Sequence, residues 1–186
     1  MKKKQKNFSR FHSQLDLPFL ETNNESIKEI FQILELKFGL KRNSNQKLVD
    51  LGAGNGSIVI FSALYYGIKS YGIELDQSLI KEAKERIKSL KKKGNFDNRL
   101  FRKIRIELGD FYLQNLKKYD FIYIYSLPPM QKYLKHVFNT AKRGAIIISH
   151  KYQLSDFNSL LKYEYRIAHK KNKQEIFTFI YRKISL

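Results

Sequence analysis

The sequence predicts an α/β protein, a Rossmann-like, doubly wound, mostly parallel seven-stranded sheet that ends in an antiparallel C-terminal hairpin. Three observations carry that prediction. Short apolar runs alternate with segments of helical periodicity along most of the chain, the pattern of βα units covering both faces of a parallel sheet. The first run enters a glycine-rich turn, Gly52-Ala53-Gly54-Asn55-Gly56, just ahead of a helix. The last two runs are separated only by the Lys-rich turn 170–173, too short for a helical crossover, so they pair as a hairpin.

The elements follow in order. Thr22-x-x-Glu25 reads as a capping box opening a helix with apolar positions Ile27, Ile30, Phe31, Leu34 and Phe38. Residues 48–51 form a short buried strand, 57–66 a helix, and 70–75 the second strand. Asp76 is the N-cap of the next helix, whose apolar face is Leu79, Ile80, Ala83, Ile87 and Leu90; Glu82 and Arg86, four apart, have the favourable orientation for an ion pair. Residues 104–108 alternate as a third strand, and 119–127 read as a fourth, ended by Pro128-Pro129. A helix over 131–141 and a fifth strand over 144–149 precede the hairpin of 163–168 and 175–181. Residues 16–186 make one domain, with no internal repeat or linker. Residues 1–15 are expected to be a basic, flexible tail.

Composition narrows the chemistry. The 186 residues include no cysteine and four scattered histidines, which excludes a disulfide framework, a cysteine nucleophile and cysteine-ligated metal; no metal site is expected. The formal charge is +19, and 27 of the 36 basic residues are lysine. Such a surplus favours anionic partners, although a Lys-rich compositional bias produces the same total. Residues 86–105 alone carry +8, with Phe96 and Phe101 as stacking groups, the makings of an RNA-contacting patch. The basic start is not followed by an apolar stretch, and the longest apolar run, 58–68, is too short to span a bilayer. The expectation is a cytoplasmic protein without a transmembrane segment, its oligomeric state left open by the sequence with a monomer favoured.

The glycine turn holds the main chemical signal. Glycines let the backbone pass tightly beneath a ligand, and the helix that follows offers free N–H groups to an anion. Glu74 ends the next strand, 22 residues beyond Gly52, where an acid accepts hydrogen bonds from ribose hydroxyls. The spacing G-x-G-x-G misses the dinucleotide register G-x-G-x-x-G, and no Gly-Lys pair exists for a Walker A loop. Asp50, just before the turn, suits a cationic ligand. S-adenosylmethionine fits, because its amino and sulfonium groups are positive while its carboxylate can face the helix. At the third strand's end, Asp110 is placed to accept the adenine amino group, with Phe111 against the ring.

Asp50-x-Gly52-x-Gly54-x-Gly56, Glu74 and Asp110 together resemble the class I, seven-β-strand S-adenosylmethionine-dependent methyltransferases over about residues 17–184. Leu17-Pro18-Phe19-Leu20-Glu21-Thr22 is similar to a Pro-aromatic-x-x-Thr/Ser segment of a small protein-lysine methyltransferase family, which includes archaeal enzymes and the mitochondrial methyltransferase of the ATP synthase c-subunit. Tyr125-Ser126-Leu127-Pro128-Pro129-Met130 resembles that family's fourth-strand end, and Ile148-Ser149-His150-Lys151-Tyr152 its Ser-His-x-aromatic stretch.

The resemblance implies S-adenosylmethionine as cofactor, contacted by Phe19, Thr22, Asp50, Gly52, Gly54, Gly56, Glu74, Asp110 and Phe111. It implies Ser126, Pro128 and Tyr152 on the substrate side and a protein with an accessible lysine as partner. RNA is the alternative acceptor. His150 is the candidate general base, and Tyr123, Tyr125 and Tyr152 would flank a lysine channel. The sequence departs from the family at Asn55, where an acid is usual, at Ser57, often basic, and in a longer basic stretch over 91–105. Leu127 and Met130 replace the polar and aromatic flanks that amide and adenine methyltransferases place around Pro-Pro, which argues against that chemistry.

Overall fold

In the computed structural model, which describes residues 21–171 and 174–185, the chain runs α1 (Asn24–Lys37), β1 (Lys47–Leu51), α2 (Ser57–Tyr66), β2 (Lys69–Glu74), α3 (Gln77–Lys93), α4 (Asn98–Phe101), β3 (Ile104–Leu108), β4 (Phe121–Ile124), α5 (Pro128–Gln131), α6 (Lys135–Asn139), β5 (Ile146–His150), β6 (Leu161–Lys171) and β7 (Gln174–Lys183). The seven strands form one sheet in the order β3-β2-β1-β4-β5-β7-β6. The first five are mutually parallel, while β7 runs antiparallel to both β5 and β6. The predicted fold class is the one observed.

Side chains along a strand alternate between faces, and β4 uses both. Phe121 and Tyr123 pack with Ile27, Ile30, Phe31 and Leu34 of α1, whereas Ile122 and Ile124 pack with Val137 and Phe138 of α6. A strand buried on both faces requires this continuous apolar composition. The sheet order reverses between β1 and β4, and in open α/β sheets that switch point opens a crevice at the strands' carboxyl ends.

Several local expectations change. The N-cap of α1 is Asn23, whose side chain accepts the Ser26 N–H at 2.8 Å; Thr22 is instead drawn away by a tertiary partner described below. Arg86 does not pair with Glu82 but reaches Glu21 and Ser57. The strand predicted over 119–127 is only four residues long, and Pro128 opens α5 at its first position, where its missing N–H costs nothing. The helix predicted over 131–141 is two short pieces joined by a tight turn, with the Leu134 N–H on the Gln131 carbonyl at 2.8 Å. The hairpin strands extend well past their predicted ends, pairing from Leu161–Lys183 to Lys171–Gln174. The expected tail, residues 1–15, and Phe19 lie outside the described residues. No helix among the described residues is long and apolar enough to cross a membrane.

Candidate functional site

At the carboxyl end of β1 the chain folds back on β2. The N–H groups of Gly52 and Ala53 both donate to the Ile73 carbonyl, at 2.9 and 3.0 Å. Gly54 and Gly56 have φ of 52° and 78°, conformations that side chains disfavour, and a Cβ on Gly56 would meet Ile106 at 2.6 Å. The Gly54 N–H donates to Glu74 Oε2 at 2.7 Å, while Glu74 Oε1 accepts the N–H groups of Leu75 and Asp76 at 2.7 and 2.9 Å. One half-buried carboxylate thus ties the glycine loop to the β2–α3 turn, and its oxygens keep further lone pairs for a ligand.

The third strand joins this group through the Gly109 N–H, which donates to the Glu74 carbonyl at 2.8 Å. Asp110 caps the following turn by accepting the Tyr112 N–H at 2.8 Å. Phe111, buried, brings its ring to 3.9 Å from where a Gly52 Cβ would lie. Gly52, Gly54, Gly56, Glu74, Asp110 and Phe111 therefore gather at the ends of three adjacent strands.

Asp50 sits at the switch point, opposite Gly72 on β2 and Tyr123 on β4. It is 3% exposed, and burial, with Glu74's charge second, pushes its carboxyl well above the usual range. No described residue makes a hydrogen bond or ion pair to it, yet it lines a cleft together with Thr22, Gly52, Tyr123 and Tyr125. Burying a carboxylate without a cation is costly, so the position fits a site completed by a positive ligand. Across the cleft Thr22 Oγ1 and the Tyr123 hydroxyl lie 2.7 Å apart, docking the segment ahead of α1 onto β4. That bond is what takes Thr22 from the helix cap.

Glu21 accepts from Ser57 Oγ at 2.6 Å and from Asn55 Nδ2 at 3.1 Å, and Arg86 lies 3.4 Å from the same oxygen. Burial pushes the Glu21 carboxyl up, but these donors and the Arg86 charge hold it below its ordinary value. Arg86 also donates to Ser57 at 2.6 Å. Two of the three departures from the family pattern are thus filled from elsewhere, an acid reaching Asn55 from residue 21 and a base reaching Ser57 from α3.

On the other side of the switch point, Ser126 Oγ is buried with no hydrogen-bond partner, the single such side-chain atom among the described residues. The Tyr125 ring lies 6.2 Å from that of Tyr152 and 5.1 Å from that of His150, which also stacks at 6.3 Å on Tyr123. His150 is buried, its Nδ1 is 2.8 Å from Thr178 Oγ1, and burial, with His169 and Lys151 adding, pushes its pKa down to about 3. Pro128 is exposed at the start of α5, while Met130 is buried and offers no stacking face. Of the aromatic groups expected to stack on RNA, Phe101 is only 9% exposed, packed with Ile60 and Leu64, and Phe96 is set edge-on against it.

Sequence reasoning missed Glu21, Glu29, His169 and Thr178. Glu21 stood inside the quoted motif beside Thr22; the others carry no local signal, since their partners lie on distant strands. The groups present fit S-adenosylmethionine: an uncompensated buried carboxylate for its cationic centres, a carboxylate with spare lone pairs for its ribose, and glycines that admit close backbone approach.

A family model described as the ANTKMT methyltransferase domain matches residues 50–160. No curated protein sequence gives a significant match. Among solved structures, an RNA methyltransferase from Salinibacter ruber in complex with S-adenosyl-L-homocysteine superposes with a TM-score of 0.69 at 21% identity, covering 90% of this chain and 95% of that one. Magnesium protoporphyrin IX methyltransferase from Synechocystis with bound S-adenosylmethionine gives 0.65 at 13%, covering 89% and 86%. TrmN from Thermus thermophilus gives 0.62 at 13%, covering 83% and 48%. At these identities the likeness speaks to the fold.

Proposed function

Because the chain belongs to the ANTKMT methyltransferase domain family, with S-adenosylmethionine as its cofactor, we propose that it transfers a methyl group to a lysine side chain of a protein. The observation that carries this reading is the aromatic group at the ends of β4 and β5, where Tyr125 lines the cleft and packs its ring against those of Tyr152 and His150. Aromatic faces favour an approaching ammonium group, and a neutral imidazole among them can accept its proton.

When bound, S-adenosylmethionine supplies an electrophilic methyl group on a positive sulfur. Asp50 would hold its cationic part, Glu74 the ribose, and Asp110 with Phe111 the adenine, while Thr22 closes the cleft by its bond to Tyr123. Ser126, with an unspent hydroxyl, would orient the acceptor nitrogen. The protein's share of the catalysis is mostly alignment and exclusion of water, since in-line transfer rewards a held geometry.

Incubating the protein with methyl-tritiated S-adenosylmethionine and a cell lysate, with and without RNase and with Asp50→Ala as control, tests the reading. Label in protein that survives RNase and hydrolyses to methyl-lysine supports it. Label lost with RNase makes RNA the acceptor and the basic 86–105 segment its tracker.

A further inference from the structure

Behind His150 runs a continuous line of hydrogen bonds that the alignment chemistry does not require. His150 Nδ1 meets Thr178 Oγ1 at 2.8 Å; the same oxygen meets His169 Nε2 at 2.8 Å; and His169 Nδ1 is bonded to Glu29 Oε2. The four residues come from β5, β7, β6 and α1. His150, Thr178 and His169 are buried, whereas the Glu29 side chain is 48% exposed. The line therefore starts at His150, packed behind the cleft-lining Tyr123 and Tyr125, and ends at the protein surface.

We propose that Glu29, His169 and Thr178 form a relay that keeps His150 Nε2 unprotonated, free to take the acceptor's proton, and carries that proton away to the surface. The logic follows from counting protons. A hydroxyl has one hydrogen to donate, so Thr178 can donate to only one of its two imidazoles. With Glu29 ionised, neutral His169 donates its Nδ1–H to that carboxylate, leaving Nε2 as an acceptor. Thr178 must then donate to His169 and accept from His150 Nδ1–H. The lone pair of His150 falls on Nε2, for which no described residue is a partner.

The relay also resolves a difficulty with His150 as a base. Burial disfavours its imidazolium strongly, so a proton taken at Nε2 cannot stay there. As Nε2 gains that proton, the Nδ1 proton passes to Thr178 Oγ1, and the Thr178 proton passes to His169 Nε2. The positive charge then resides on His169 against Glu29, not on His150. The freed amine forms its bond to the methyl carbon, and the carbon–sulfur bond breaks with its electron pair remaining on sulfur. Charged and titratable groups facing His150 are Tyr123 and Tyr125 from β4, Lys151 and Tyr152 beyond β5, and His169 from β6. Only His169 has a direct carboxylate partner. A second protonation state follows: cationic His169 donates to Thr178, which then donates to His150 Nδ1 and moves the His150 proton to Nε2.

The proton-transfer step rests on the lysine reading, whereas the tautomer does not, and the experiment separates them. Long-range proton–nitrogen correlation on the full chain with labelled histidine is expected to show His150 as the Nδ1–H tautomer at neutral pH. Thr178→Val should scramble the His150 tautomer and lower kcat about 10²-fold, the usual contribution of a general base, with unchanged affinity for S-adenosylmethionine; Thr178→Ser should restore both. A His150 tautomer that ignores Thr178→Val, or that is Nε2–H at neutral pH in the parent chain, overturns the relay even if lysine is methylated. The expected tautomer and its response to Thr178→Val, found alongside methylated RNA, would uphold the relay and remove the lysine acceptor.

Discussion

The two halves of the cleft are held by different kinds of bond. On the β1–β3 side the backbone does the holding: Gly52, Ala53 and Gly54 all donate main-chain N–H groups across to β2, and Glu74 accepts three of its own. On the β4–β7 side the holding is by side chains far apart in sequence, Thr22 to Tyr123 and Glu29 to Thr178 through His169. A backbone-built half depends first on φ, with Glu74 and Asp50 as the side chains it cannot lose. A side-chain-built half can be dismantled one hydroxyl at a time. The first suits a cofactor that is always the same molecule; the second suits an acceptor that must be chosen.

Asp50→Asn is the sharpest way to strain that contrast, because Asp50 is the buried carboxylate of the backbone-built half to which no described residue is paired. Truncating a buried charge partner costs about 2–5 kcal/mol, so calorimetry should record a loss of at least about 30-fold in S-adenosylmethionine affinity. The unliganded variant should melt higher by a few degrees, roughly 2–4 °C per kcal/mol at this size. The sign follows from the raised carboxyl: the parent chain's contribution from Asp50 is present at low pH and fades as pH rises through its folded pKa, and Asn should flatten that decline. Glu74→Ala should come next. It removes the acceptor of three loop N–H groups, and calorimetric affinity is expected to fall about tenfold to 100-fold at charged-bond strengths of about 1.5–3 kcal/mol.

A third outcome concerns pH on the other half. His150 has a folded pKa of about 3, below the ordinary imidazole value, so its contribution to stability is complete above about 6.5 and is lost as pH falls toward 3. Denaturant titrations should therefore show stability rising with pH across that window by up to about 1.4 kcal/mol per unit, and His150→Gln should remove the slope. The smallest effect is Tyr123→Phe, which cuts the Thr22 bond and should cost about 1 kcal/mol in the same titration while leaving the glycine loop intact. A larger loss in cofactor affinity than in stability would blur the division between the two halves.

The same division decides what could be read from the chain alone. Gly52, Gly54, Gly56, Glu74 and Asp110 are within short reach of one another along the sequence, at spacings that strand and turn geometry dictate, so the backbone-built half was legible together with the sheet. Ser126, Tyr152 and His150 were legible only through resemblance. Glu29 and Thr178 were not legible at all, since nothing local distinguishes a glutamate on α1 or a threonine on β7 from solvent-facing and packed neighbours. The capping box at Thr22 misled for the same reason: a tertiary hydroxyl partner 101 residues away outbid the helix end. Glu82 and Arg86 likewise had ideal spacing, but Arg86 reaches Glu21 and the buried Ser57 while Glu82 accepts from Asn55.

The strand order β5-β7-β6 places a late strand inside the sheet and an earlier one at its edge. During synthesis the glycine loop and β4 are complete by residue 124, while Thr178 has yet to be made; at about 5–20 residues per second the gap is on the order of several seconds. Once made, β5 keeps an open edge, the His150 ring has no hydroxyl behind it, and β6 lacks its antiparallel partner until β7 follows. The stretch that carries the glycine loop, Glu74 and Asp110 is thus complete before the stretch that supplies the hydroxyl between the two imidazoles, so the two halves of the cleft are also separated in the order of their making.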